Sequence, residues 1–275
     1  MFRREMLFET KTDYANKTLE REIKLARNIQ MELLNGSQPT LEKGQVTGYS
    51  LPARLIGGDY YDFHVLPNGK LRIIIGDVMG KGIPAAMLMI LTRGAFRSAA
   101  ESTQGPSETL TAMNKALYSD LRTLNSFVTV LCADWNPETN VLSYASAGHN
   151  LPLVVKSNQD IEEVPKVKGV MLGGLPQNTY KENFVQLLDE QLVFFYTDGI
   201  TEAQNSDGDM FQTERLRKVL QQNYAEAVED IENSVIESLD NFTENVQQKD
   251  DITMVLLKVH QGQTKVSSYN SPVLN

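Results

Sequence analysis

Apolar positions along the chain follow two periods. Leu19, Ile23, Ala26, Ile29 and Leu33 recur every three or four residues, with Glu20, Arg21, Lys24 and Asn28 on the other faces. That spacing predicts a helix running to about Leu34, stopped by Gly36, Ser37 and Pro39. From Gln45 onward, short apolar runs bounded by turn residues predict strands over 45–53, 63–66, 71–76, 127–135, 141–147, 151–155, 191–197 and 252–259. Asn68-Gly69 and the stretch Asn136 to Asn140 read as hairpin connections. Helical spacing returns after Pro84 (Ala85, Leu88, Leu91, Ala95). It recurs in Leu110, Met113, Leu117 and Leu121, and in Val228, Ile231, Val235 and Leu239. Hairpins without regular strand–helix alternation predict an α+β architecture, antiparallel sheets carrying helices on their faces.

The composition fits such a domain: 275 residues, 41% hydrophobic and 22% charged. A net charge of −9 argues against non-specific nucleic-acid binding and leaves carboxylates to spare for cations. Cys132 is the single cysteine, which excludes a disulfide framework or thiolate cluster within one chain; a buried thiol is expected. The start MFRREMLFETKTDY lacks the apolar core of a signal peptide, and the longest apolar run, Ala85 to Leu91, is far short of the about 20 residues that span a bilayer. A cytoplasmic protein without membrane attachment is expected. The tail from Gln261 is rich in Ser, Asn and Gln and is expected to be disordered.

The candidate chemistry begins in GDVMGKGIPAAM, Gly76 to Met87. A Walker loop needs four residues between its first Gly and the Gly-Lys, then a hydroxyl. Gly76 to Gly80 is one residue short, and Gly82 stands where the hydroxyl belongs, so a phosphate cradle of that kind fails. What remains is Asp77 at a strand end, which is either a turn aspartate bonding its own backbone or a ligand. Other acids repeat the placement. Asp59 follows Gly57-Gly58, Asp198 follows LVFFYT and precedes Gly199, and Asp250 and Asp251 precede ITMVLLKV. Carboxylates converging from several strand ends repel one another unless a cation lies among them. All-oxygen donors select Mg²⁺ or Mn²⁺ over zinc, and His64, His149 and His260 have no zinc-type spacing. Two such ions about 3.5–4 Å apart activate a water and clamp a phosphoryl group.

In order along the chain, GGDYYDF, GDVMGKGIPAAM, AGHNLP, FYTDGITEA, ERL and DDITMVLLKV resemble the SpoIIE-like (RsbU-type) branch of the metal-dependent PPM protein phosphatases. The resemblance runs from about Leu25 to Val259, and ARNIQMELL looks like the lead-in to the family's catalytic domain. It implies an αββα sandwich of two antiparallel sheets flanked by helices, with an N-terminal regulatory helix. Its organisation would be a helix over 1–36, a phosphatase domain over 37–260 and a tail over 261–275. The implied activity is hydrolysis of phosphoserine or phosphothreonine by direct attack of metal-activated water. The implied substrate is a phosphorylated STAS-domain anti-sigma-factor antagonist, and the implied cofactor two Mn²⁺ or Mg²⁺ ions. By motif, Asp77 would bridge both ions and the Val78 carbonyl would bind one. Asp198 and Asp250 would complete the second, Asp251 standing as an alternative to Asp250, while Asp59 would hold an ion or its water.

Arg54, Lys81 and His149 are candidate substrate contacts; the plainer readings are a surface arginine, a solvated loop lysine and a turn-ordering histidine. Departures from the family pattern are Asn35 after Leu33-Leu34, Leu151, Met171 and Gln212, none of them a proposed ligand. The family's lead-in helix often joins two chains and relays a sensor's state. Too few residues precede Leu19 for a sensor domain, so the expectation is a homodimer through this helix, with a separate activator protein or constitutive activity. The competing expectation is a non-catalytic partner-binding module on the same fold. A nucleotide-binding enzyme is disfavoured by the failed Walker spacing.

Overall fold

The structure, a computed structural model, describes residues 2–34, 38–244 and 246–260. The stop signals Gly36 and Ser37 and the tail from Gln261 lie outside the described residues. Two five-stranded sheets form the centre, every neighbouring pair antiparallel. One holds β1 (Gly44–Leu51), β10 (Ile252–Val259), β9 (Leu192–Tyr196), β6 (Leu153–Val155) and β7 (Ile161–Glu163), in that order. The other holds β2 (Tyr60–Val65), β3 (Leu71–Val78), β4 (Val128–Asn136), β5 (Val141–Ala147) and β8 (Asn183–Gln186). Helices α2 (Ile83–Ala100) and α3 (Pro106–Thr123) cover the second sheet; α5 (Gln212–Asn223) and α6 (Val228–Thr243) cover the first, joined by the short α4 (Asp198–Thr201). A 33-residue helix, α1 (Phe2–Leu34), precedes β1. The αββα expectation holds.

Three apolar layers follow from strands buried on both faces. On β3, Ile73 and Ile75 face the layer between the sheets with Val193, Phe195 and Val255, while Ile74 faces α2 and α3 with Met89, Phe96 and Met113. The period of two thus divides one strand between two cores. The third layer puts Phe194, Met254 and Leu256 under Leu220, Ile231 and Val235.

Arg72 shares Ile74's side and is fully buried. Its register partner on β4 is Asp134, and the two pair through both oxygens, Nε to Oδ1 at 2.6 Å and Nη2 to Oδ2 at 2.7 Å. Nη1 donates to the Ala100 carbonyl at 3.1 Å, at the C-terminal end of α2, where a cation suits the helix dipole.

Elements missed by pattern are polar or short. β7 and β8 are edge strands of three and four residues, and α5 buries only Leu216, Val219 and Leu220. The second strand begins at Tyr60, not Phe63, because Asp62 interrupts the apolar pattern yet is itself buried, paired with Arg97 and accepting from the Tyr60 hydroxyl at 2.7 Å. The stripe on α1 does not cover the core: Leu19, Ala26 and Ile29 are exposed, and among the described side chains of α1 only Gln30 and Leu34 are buried.

Truncating one partner of a buried ion pair strands the other's charge. Asp134→Ala should therefore lower unfolding free energy by about 3–5 kcal/mol, measured by urea denaturation.

Candidate active site

The sandwich brings its acids together at one end. Asp59 lies just before β2 and Asp77 in the last turn of β3, both of one sheet; Asp198 follows β9 and Asp250 precedes β10, neighbours in the other sheet. Thr197 bridges the sheets, its hydroxyl donating to Asp59 Oδ2 at 2.8 Å and accepting from the Thr253 amide at 3.1 Å. Local sequence makes this approach possible. Gly82, with φ of 73°, turns the chain into α2, and a Cβ at Gly199 would overlap the Asp251 carbonyl. The Val78 carbonyl faces Gly58, where a Cβ would come within 3.1 Å of it.

Asp250 and Asp251 divide their roles. Asp251 is buried and both its oxygens are occupied by backbone donors: Oδ1 by Ala53 N–H at 2.7 Å, Oδ2 by Gly58 N–H at 2.6 Å and Asp59 N–H at 3.4 Å. Asp250 is part-exposed and pairs with Lys81 Nζ at 2.7 Å. Lys81 also donates to the Lys249 carbonyl. Arg54 is exposed and lies beside Gly82. Two clefts meet at Lys81: one of about 430 Å³ lined by Gly199, Glu202, Asp240 and Asp250, and one of about 330 Å³ lined by Ala53, Arg54 and Lys249.

His149 stands one layer back. Its Nδ1 is 2.9 Å from Thr129 Oγ1, and Thr129 pairs with Asp77 across the β3–β4 ladder. Its backbone N–H and carbonyl both meet the Ser146 hydroxyl, and burial lowers its ring to about 4. The ring is neutral at pH 7, so it orders the turn and carries no charge toward a phosphate.

The site is short of positive charge. Burial, then the charges of Asp198, Asp250 and Asp251, raise Asp77 to about 7, against a hydrogen bond with Asp59. Burial, then Asp77 and Asp251, hold Asp59 well above the carboxylate range, although Thr197 and Thr253 oppose the shift. Burial and Asp250 raise Asp198. Glu202, which pattern reading passed over, is raised by burial and by the same two aspartates. Nothing local in the sequence singles out Thr197, Glu202 or Asp251's backbone role, because each depends on segments far apart in the chain.

Among the described residues no three carboxylate, imidazole or thiol groups converge tightly enough to enclose an ion by themselves. The donors present nevertheless fit one kind of ion. They are all oxygens whose charged forms burial and mutual repulsion disfavour until a cation lies among them, while the Cys132 thiol is buried. A hard divalent cation that keeps several of its waters needs only one or two carboxylates, whereas zinc would need nitrogen or sulfur.

The two antiparallel sheets flanked by helices have the fold of solved PP2C-type phosphatase domains. The family model for stage II sporulation protein E (SpoIIE) matches residues 67–260, and the chain belongs to that family. The phosphoserine phosphatase RsbU of Bacillus subtilis (strain 168) is 28% identical over 240 residues, 87% of this chain and 70% of RsbU. Two further relatives are matched over only 41% and 58% of their own lengths. The SiaA-PP2C domain of Pseudomonas aeruginosa shares the fold with a TM-score of 0.76 at 21% identity, over 89% of this chain and 98% of that one. RsbX, solved in complex with magnesium, superposes with a TM-score of 0.61 at 20% identity, over 80% and 98%.

The raised Asp77 has a consequence for metal-free protein. Between about pH 4 and pH 7 the folded chain holds a proton there that the unfolded chain has lost, so stability falls as pH rises through that window. With EDTA at pH 8, Asp77→Asn should melt a few degrees above wild type, a gain of about 1–2 kcal/mol, and the difference should shrink toward pH 4–5. Differential scanning calorimetry against pH checks it.

Proposed function

We propose that this chain is a Mn²⁺- or Mg²⁺-dependent protein serine/threonine phosphatase acting on a regulatory phosphoprotein. One observation carries the reading: Asp59, Asp77, Asp198 and Asp250 arrive from both sheets at one end of the sandwich, three of them with raised affinity for protons. Asp77, Asp198, Asp250 and the Val78 carbonyl would hold two ions, with Asp59 holding an ion or a water; Asp250 is assigned over Asp251 because the latter's oxygens are already occupied. When bound, the ions supply Lewis acidity toward the phosphoryl oxygens and lower the pKa of water. The chain's own groups do the positioning. Thr197 fixes the Asp59 carboxylate, Asp251 fixes the loop that carries it, and Lys81 places Asp250. Lys81 stands where the two clefts meet and Arg54 lines the smaller of them, and both would attract and orient the phosphate.

The similarity to RsbU supports a phosphoserine substrate, for which a STAS-domain anti-sigma-factor antagonist is the class proposed. The domain proposed for this work is 37–260, with 1–36 as a regulatory helix answering to a separate activator protein. A cytoplasmic signalling role is part of the same proposal; no helix among the described residues is long and apolar enough to cross a membrane. Release of phosphate from a phosphoserine STAS protein should require Mn²⁺ or Mg²⁺ and stop with EDTA. Asp198→Asn should lower it by about a hundredfold or more. Metal binding without turnover on any phosphoprotein would instead favour the partner-binding module.

We propose further that the chain is a homodimer through α1. Leu19, Leu25 and Ile29 are exposed there, and Ile83, Met87 and Leu91 extend the exposed apolar surface onto α2. Light scattering should give the mass of two chains, and Leu25→Glu should give the mass of one.

A further inference from the structure

Gln30 is an amide buried on a helix that is otherwise mostly exposed. Both ends of that amide are spent on one residue. Nε2 donates to the Gly57 carbonyl at 2.7 Å, and Oε1 accepts from the Gly57 N–H at 3.2 Å. Gly57 stands two residues before Asp59. The opposite side of the same loop is held by Asp251, through Ala53, Gly58 and Asp59. A Cβ at Gly57 would overlap the Asp251 carboxylate, so the backbone is clasped between α1 and the start of β10 with no side chain intervening.

Apolar packing fixes α1 at its C-terminal end, where Leu34 is buried in the core that holds Met89 and Phe96. A cavity of about 200 Å³ separates it from α2, lined by Ala26, Ile29, Ile56, Ile83, Met87 and Ile90. Among the described residues Arg93 Nε ties α2 to α1, donating to the Leu33 carbonyl at 3.2 Å. Against the site loop itself α1 is tied by the Gln30 amide, and a shift of α1 leaves two buried backbone groups of Gly57 unpaired.

We propose that Gln30 is a positioning residue for Asp59, holding the 57–59 loop in the geometry the site needs only while α1 is seated. The proposal rests on the reading of Asp59 as part of the phosphatase site. It is distinct from dimerisation, since it concerns the face of α1 turned toward its own domain.

The test uses the full chain with Gln30→Met, which keeps the length and removes both bonds, and Gln30→Glu, which keeps the acceptor and removes the donor. Hydrogen exchange of residues 55–60 is followed in EDTA, Mn²⁺ affinity by calorimetry, and kcat and KM on p-nitrophenyl phosphate. Gln30→Met should exchange about tenfold faster at 55–60 while α3 and β10 keep their protection. It should bind Mn²⁺ about tenfold more weakly and lose kcat with KM little changed. Gln30→Glu should lie between it and wild type, and it carries the test if Gln30→Met does not fold. Unchanged exchange at 55–60 with unchanged or tighter Mn²⁺ binding, in either folded variant, overturns the proposal. A wild type that binds Mn²⁺ but hydrolyses no phosphoester sinks the phosphatase reading, while the exchange and Mn²⁺ measurements still decide the role of Gln30.

Discussion

Negative charge crowded into the end of an apolar sandwich is the constraint to which the rest of the structure answers. Burial and mutual repulsion raise Asp59, Asp77 and Asp198 together, and each unit of such a shift is about 1.4 kcal/mol of discrimination against the charged form. A fold can hold groups in that condition only if their backbones cannot move apart. Strands β2 and β3 pair directly over six residues and β9 and β10 over five, and the layer between the sheets is filled by Ile73, Ile75, Val193, Phe195 and Val255. The acids ride on strand ends whose positions are decided many residues deeper in the core. Their strain is thus set against cooperative packing instead of local turn geometry.

Five aspartates of one chemical type then perform different tasks because their surroundings differ. Asp251 is saturated with backbone N–H donors and stabilises a loop. Asp62 is neutralised by Arg97 and fastens β2 to α2. Asp134 answers Arg72 inside the layer between α2, α3 and their sheet. Asp77 is pressed by burial and by Asp198, Asp250 and Asp251, and at Asp198 burial and Asp250 outweigh the backbone hydrogen bonds and the Lys81 charge that favour its ionised form. Whether the protein itself supplies an acid's counter-charge is a three-dimensional property.

This explains what the sequence made legible. β5 and β10 were readable to the residue, since Val141 to Ala147 and Ile252 to Val259 are apolar runs with clear ends. The strand-end positions of Asp77, Asp198 and Asp250 followed from the apolar runs of β3, β9 and β10. The start of β2 did not, because Asp62 looks like a solvated residue until Arg97 is seen beside it. Nor did α5, whose twelve residues are mostly polar and bury three. The choice between Asp250 and Asp251 was invisible for the same reason: adjacent residues on a strand-leading turn face opposite ways, and only the distant amides of Ala53, Gly58 and Asp59 say which way is inward.

Helix α1 is where the balance of forces is finest. Its apolar stripe is largely in solvent, so little hydrophobic free energy holds it to its own domain. What ties it to the site loop is a pair of buried hydrogen bonds at Gln30, each worth about 0.5–1.5 kcal/mol net, so that tie is worth about 1–3 kcal/mol beside the burial of Leu34 and the Arg93 bond to the Leu33 carbonyl. A ligand can shift such an equilibrium only by its differential affinity for the two positions, and a few kcal/mol lies within what a modest protein interface supplies. An exposed apolar helix face coupled through an amide to the loop of Asp59 therefore has the energetics of a regulated contact. A fully packed helix would demand far more of any partner, and a free one would transmit nothing.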